Sequence, residues 1–246
     1  MNLSPNIGTV HYRISNIMSG GKKLGCETCW SGINTRFPGS LGDRYAKKYN
    51  YTTVPGRFHG WRTNIDIINT IINEYEEDNK DTLKFERKFP DEDEVIVHLR
   101  MGDVIGTSRP DHGDFIYKDV TIPIISTHVH TIDHYKKKVI DIRKYGLKNV
   151  TIIGNMFHKH AENPECLEHN IKYLECMTDF FKSEGFEVNV LVENEYNPLS
   201  LHYENVDREF IYMTKSKYYM PSASPIGTTF SHLIGKIVLK RGGIVF

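Results

Sequence analysis

Val95-Ile-Val-His-Leu-Arg-Met-Gly-Asp103 is an apolar run that breaks off on His98, Arg100, Gly102 and Asp103. A short β-branched run of this kind predicts a strand buried on both faces, as in a parallel sheet covered by helices. Alternation puts His98 and Arg100 on one side, and Gly102 lets the backbone turn where a Cβ would obstruct it. The carboxyl end of the strand thereby becomes a small polar cradle holding a guanidinium. Ligands of parallel α/β sheets bind at that edge, and an Arg fork there suits a diphosphate, including one that departs as a leaving group. The stretch leaves open a structural alternative, in which Arg100 simply pairs with Asp103.

Downstream, the pattern alternates. Val104 to Asp119 carries Gly106, Pro110, Gly113, Asp111 and Asp114 and is too irregular for a helix, so it predicts a long loop that brings carboxylates toward Arg100. Ile122 to His130 predicts a strand and Asp133 to Tyr145 a basic helix. Lys148 to Asn155 is a second buried-strand pattern ending on Gly154 and Asn155. Glu165 to Ser183 predicts a helix through Leu167, Ile171, Leu174, Met177, Phe180 and Phe181, stopped by Gly185, and Phe186 to Val192 a third strand. Strand, helix, strand, helix is the rhythm of an α/β doubly wound sheet.

Upstream, Ile65, Ile68, Ile71, Ile72 and Tyr75 recur at helical spacing between Asn64 and Glu77. The polar stretch 76–94 follows, and a domain boundary is placed near 90. Residues 1–60 hold turn signals and little sustained periodicity. Trp30, Trp61, Tyr45, Tyr49 and Tyr51 mingle there with Arg36, Arg57 and Arg62. That mixture suits a sugar-acceptor groove, but a small aromatic core with a solvated face is the simpler reading.

With 31 basic and 31 acidic residues the net charge is zero, which argues against a field that holds nucleic acid or an anionic membrane surface. No apolar run reaches the roughly 20 residues of a bilayer span, and Met1-Asn-Leu-Ser-Pro lacks a secretory pattern. A cytoplasmic protein is expected from the chain as given, a luminal one only if the sequence is trimmed. The sequons at Asn50 and Asn149 are accordingly taken as chance. Cys26 and Cys29 have thiol-pair spacing, but Cys166 and Cys176, ten apart on a predicted helix, do not complete a zinc pattern. Free thiols are expected. His128, His130 and His134, with His158 and His160, invite a metal site, yet two-residue spacing supplies two ligands and no visible third, so none is assigned.

A second landmark lies near the C-terminus. A helix is expected from Asp207 through Phe210, Ile211 and Met213, then a short strand Lys217-Tyr-Tyr-Met-Pro221. Ser222-Ala-Ser-Pro-Ile-Gly-Thr-Thr-Phe-Ser231 leads into a helix through Leu233, Ile234, Ile237 and Val238. Free N–H groups, the positive end of a helix dipole and several hydroxyls converge there, as at an anion site; an ordinary Ser/Thr N-cap is the alternative.

His98-Leu-Arg-Met-Gly-Asp103 is similar to the His-x-Arg-Arg-x-Asp signature of the α1,2-, α1,6- and protein O-fucosyltransferase superfamily, with Met101 in place of the second Arg. Thr229-Phe230-Ser231 resembles the Ser/Thr-Phe-Ser segment that receives the donor's phosphates in that family, and Asp207 matches its nucleobase-binding position. Ser222 to Gly227 stands as an insertion, so either Ser222 or Thr229 to Ser231 takes the phosphate position. The resemblance spans roughly 95–240, with specific motifs at its two ends.

It implies a GT-B-like glycosyltransferase: a smaller N-terminal acceptor-side region, 1–90, and a Rossmann-like nucleotide-sugar domain, 91–246. It further implies an inverting, metal-independent transfer of fucose from GDP-fucose to a glycan hydroxyl, with no cofactor beyond the donor substrate. The catalytic candidates are Arg100, Asp103 and Asp114; the donor-binding ones are His98, Arg100, Gly102, Asn155, Asp207, Ser222, Thr229, Phe230 and Ser231. Another sugar, such as xylose from UDP-xylose, and a non-catalytic nucleotide- or glycan-binding module are the alternatives.

Overall fold

The computed structural model describes residues 89–102, 104–106, 113–125, 128–156, 164–192, 203–222 and 229–246, together with Asn69, Ile72, Asn73, Glu76 and Glu77, which are helical. The chain divides into two compact units. One comprises Met1–Lys88 with His202–Thr214, the other Phe89–Leu201 with Lys215–Phe246. In the first, helix α3 (Tyr203–Thr214) buries Phe210, Ile211, Tyr212 and Met213, four consecutive side chains.

The second unit is built on a five-stranded parallel sheet in the order β5-β4-β1-β6-β7. Its strands are β1 (Glu94–Leu99), β4 (Asn149–Gly154), β5 (Glu187–Val192), β6 (Tyr218–Met220) and β7 (Ile244–Val245). Every residue of β1 is buried because this central strand is covered on both faces. The chain enters the sheet at β1, moves outward through β4 to β5, then returns to the other side for β6 and β7. The direction of winding therefore reverses between β1 and β6. In parallel sheets the carboxyl ends flanking such a reversal diverge and leave room for a ligand.

Alternation along β1 divides the packing. Val95, Val97 and Leu99 join Val150 and Ile152 of β4 and the apolar stripes of two helices in one core. Helix α1 (Ile132–Lys144) contributes Ile132, Tyr135, Val139 and Ile142, spaced by three and four as one helical face requires. Helix α2 (Pro164–Ser183) contributes Tyr173, Met177, Phe180 and Phe181. Each such side chain, fully buried, stabilises by about 1.5–3 kcal/mol. Gly146 and Gly185, with φ of 70° and 86°, end these helices in the left-handed region. On the opposite face, helix α4 (Thr229–Lys240) brings Gly235 against Tyr219 of β6 and Val245 of β7.

One expectation is corrected. Val104 to Asp119 is not all loop: β2 (Gly113–Tyr117) pairs antiparallel with β3 (Val120–Ile124), and the chain leaves β3 before Ile125 instead of continuing as a strand to His130. The hairpin is anchored through Phe115, Ile122 and Ile124, which enter the core on alternate positions. Lys118, at φ 53°, occupies its tight turn, and Lys118 and Tyr117 both bond Asp179 of α2.

Candidate functional site

The end of β1 and the segment joining β6 to α4 meet at the reversal of winding. Ile96 lies beside Tyr219, so His98, two residues on, emerges on the same face just past the end of β6. Its Nδ1 is 3.3 Å from Oγ of Ser222. The Ser222 N–H donates to Oγ of Ser231 (3.0 Å), and that oxygen shares a 2.7 Å hydrogen bond with the Tyr219 hydroxyl. Ser231 stands in the first turn of α4, so one buried chain of polar groups runs from β1 to a helix N-terminus. All four residues are at most 9% exposed, and a polar group so placed is tolerated only when hydrogen-bonded, which explains the chain's continuity.

Burial, and then the nearby charge of Arg100, lowers the His98 imidazole to about 3. His98 is thus a neutral hydrogen-bonding group at ordinary pH and a poor base. Burial raises the Tyr219 phenol, an effect its bond to Ser231 partly offsets. The cluster accordingly carries one fixed positive charge, Arg100, which is half-buried at the strand end, and the positive end of the α4 dipole. Both favour an anion.

The turn after Arg100 is tightly specified. Arg100 Nη1 donates to the Met101 carbonyl, and Gly102 follows at φ 77°. Asn170 of α2, wholly buried, accepts from the Gly102 N–H (2.6 Å) and donates to the Gly102 carbonyl (3.2 Å) and to that of Cys166 (2.7 Å). The Gly102 amide is therefore already engaged by protein. Met101 is fully buried in the core, and the close approach of β1 to β4 beside it requires Gly154, where a Cβ would stand 2.7 Å from the Leu99 carbonyl and 3.0 Å from the Met101 sulfur.

Of the residues singled out from sequence, His98, Arg100, Gly102, Ser222 and Ser231 lie along these two strand ends. Asn155 follows β4 on the same edge, half-buried. Thr229 and Phe230 open α4, and Asp207 lies within α3, in the other unit; their side chains are outside the described residues, as are Asp103 and Asp111 entirely. Asp114 is exposed on β2, opposite Pro123, in the hairpin and not in a loop. Cys26, Cys29, His158, His160 and the aromatic and arginine residues of 1–62 also fall outside the described residues. His130 and His134 stack face to face at 3.5 Å. Among the described residues no group of three or more His, Cys, Asp or Glu is arranged to hold a metal, and no helix is long and apolar enough to cross a membrane.

Sequence reading missed Asn170 and Tyr219. The signal for Asn170 was present: it is the one amide on the buried stripe Cys166, Asn170, Tyr173, Met177 of α2, a position that costs stability unless its hydrogen bonds are met. No family model, curated protein or solved structure matches the chain.

Proposed function

We propose that the chain is an inverting, metal-independent glycosyltransferase of GT-B-like architecture, with the sheet-bearing unit as its Rossmann-like donor domain and GDP-fucose as its donor. The supporting observation is the hydrogen bond that joins His98 to Ser222 across 124 positions of sequence, at the reversal of winding, beside Arg100 and the first turn of α4. Both segments named by the resemblance converge there. In the proposed reaction an acceptor hydroxyl attacks the anomeric carbon in line; its bond to that carbon forms as the bond to the nucleoside diphosphate breaks, and its proton passes to a carboxylate base, for which Asp103 and Asp114 are the candidates. The guanidinium of Arg100 and the α4 N-terminus stabilise the charge that gathers on the departing phosphates, worth about 3 kcal/mol for a well-placed donor group. His98, neutral, holds Ser222 in place and takes no part in proton transfer.

Met101 favours testing a second donor. Because that side chain is core, the position supplies no second cation, and UDP-xylose is the comparison. The deciding experiment measures hydrolysis and transfer across a panel of nucleotide sugars, with GDP and UDP binding by calorimetry. Turnover of GDP-fucose above the rest supports the reading. Nucleotide binding with no turnover of any donor makes the chain a non-catalytic module, and no nucleotide binding ends the proposal.

A further inference from the structure

We infer that Asn170 is a positioning residue that aims Arg100 through a single peptide group. The Met101 carbonyl and the Gly102 N–H belong to the same trans peptide and point in opposite directions. On one side the carbonyl accepts from Arg100 Nη1; on the other the N–H donates to Asn170 Oδ1 at 2.6 Å. The order is Asn170 Oδ1, Gly102 N–H, Met101 C=O, Arg100 Nη1: an amide in α2 fixes the plane of a peptide whose carbonyl holds the guanidinium. Consecutive hydrogen bonds of this kind polarise one another, so the first strengthens the last. Gly102 at φ 77° gives the peptide a geometry that other residues adopt only under strain, and the buried Met101 side chain opposes rotation of the plane. The remaining two bonds of Asn170, to the carbonyls of Gly102 and Cys166, lock the amide's orientation, with Nδ2 toward the carbonyls and Oδ1 toward the relay.

The effect on ligand rests on the reading of Arg100 as the grip for a diphosphate, whereas the effect on the Arg100 side chain does not. Two substitutions separate positioning from stability because they rank oppositely. Asn170→Asp keeps the acceptor for Gly102 N–H but sets a buried carboxylate against two carbonyls, so it should lower the thermal midpoint more. Asn170→Leu is apolar and close in volume, so it should melt nearer to wild type while leaving the relay without its first member.

The readouts are 15N relaxation of the Arg100 Nε–H and calorimetric binding of GDP to the full chain. Expected are an ordered Arg100 in wild type and in Asn170→Asp, a mobile one in Asn170→Leu, and a GDP dissociation constant raised about tenfold in Asn170→Leu alone, the size of one lost charge-assisted hydrogen bond. An Arg100 side chain mobile in free wild type overturns the inference. So does affinity that follows the thermal midpoint, weakest in Asn170→Asp. Should Asn170→Leu not fold, Asn170→Asp decides by itself: an ordered Arg100 despite a lowered midpoint supports positioning, and a mobile one refutes it. Wild type that binds no GDP sinks the functional reading, and the relaxation comparison still judges the relay.

Discussion

At residue scale, the proposed grip of Arg100 on a diphosphate rests on shape as well as charge. A guanidinium presents a planar fork to a phosphate; an ammonium presents a point charge. Arg100→Lys should therefore lower turnover severely, by about a hundredfold or more if the fork stabilises the leaving group as an oxyanion donor does, while the thermal midpoint moves little. Arg100→Ala should also weaken GDP binding, more than GMP binding, since only the diphosphate offers the outer phosphate. Equal nucleotide affinity in both variants with earlier melting would make Arg100 a structural strand end. The neighbouring position carries the opposite prediction. Met101→Arg restores the second Arg of the fucosyltransferase signature, but the side chain would enter the buried core beside Gly154. A loss of about 3–5 kcal/mol in denaturant-measured stability is expected, the cost of an uncompensated buried charge. A stable Met101→Arg variant with improved turnover would contradict this placement.

At the scale of elements, the site depends on how closely β1 and β4 approach at their carboxyl ends. Leu99 and Gly154 are register partners, and the space a Cβ would need at Gly154 is taken by backbone, not by a flexible side-chain tip. Gly154→Ala should consequently destabilise by roughly 1–3 kcal/mol, as overpacking does, and Met101→Ala should not relieve it, because the nearest atom is the Leu99 carbonyl. Denaturant titrations of the single and double variants check this. Recovery in the double variant would mean that the Met101 sulfur sets the limit instead. Since the strain falls directly beneath Arg100, GDP affinity should drop with stability here, unlike the inverted ranking expected at Asn170.

At the scale of the whole molecule, the response of stability to pH follows from where titratable groups are buried. His98 is lowered to about 3 and His130 to about 4, each chiefly by burial, with Arg100 and His134 respectively as the next causes. The unfolded chain takes up those protons near the ordinary value of 6.5, before the folded chain does. Their contribution to stability is therefore complete above about 6.5 and is lost as pH falls toward 4 and then 3. Unfolding free energy should decline from about pH 6.5 downward, ahead of the carboxylates, and His98→Gln should remove one proton from that slope, about 1.4 kcal/mol per pH unit at its steepest. An unchanged slope would place His98 in water. In the proposed mechanism Arg100 and the α4 N-terminus supply the charge that a divalent ion supplies elsewhere, so EDTA-treated protein should keep its turnover. A strict requirement for added Mn²⁺ would overturn the metal-independent mechanism and return attention to the histidines of 128–134.

What the sequence determined by itself is local. The apolar run 95–99 and its polar ending identify a buried strand and a candidate site at its end, because burial on both faces leaves no alternation and a charged ending has to face solvent or a ligand. The helical spacing in α2 and its terminal Gly185 likewise follow from near neighbours. The tertiary structure alone decided the rest. Sheet order is set by which carboxyl ends can lie side by side, and no local pattern states that β6 joins β1 while β7, two residues long, closes the edge. The β2–β3 hairpin was hidden inside a Gly- and Pro-rich stretch because its apolar anchors are three, spread over ten residues. That 202–214 groups with 1–88, across more than a hundred residues of the other unit, likewise appears only in the folded chain. Above all, the partners of the site are far apart in sequence, Asn170 with Gly102 and His98 with Ser222. A hydrogen bond between such residues leaves no periodicity; it exists only once the packed core has brought its two ends within 3.5 Å of each other.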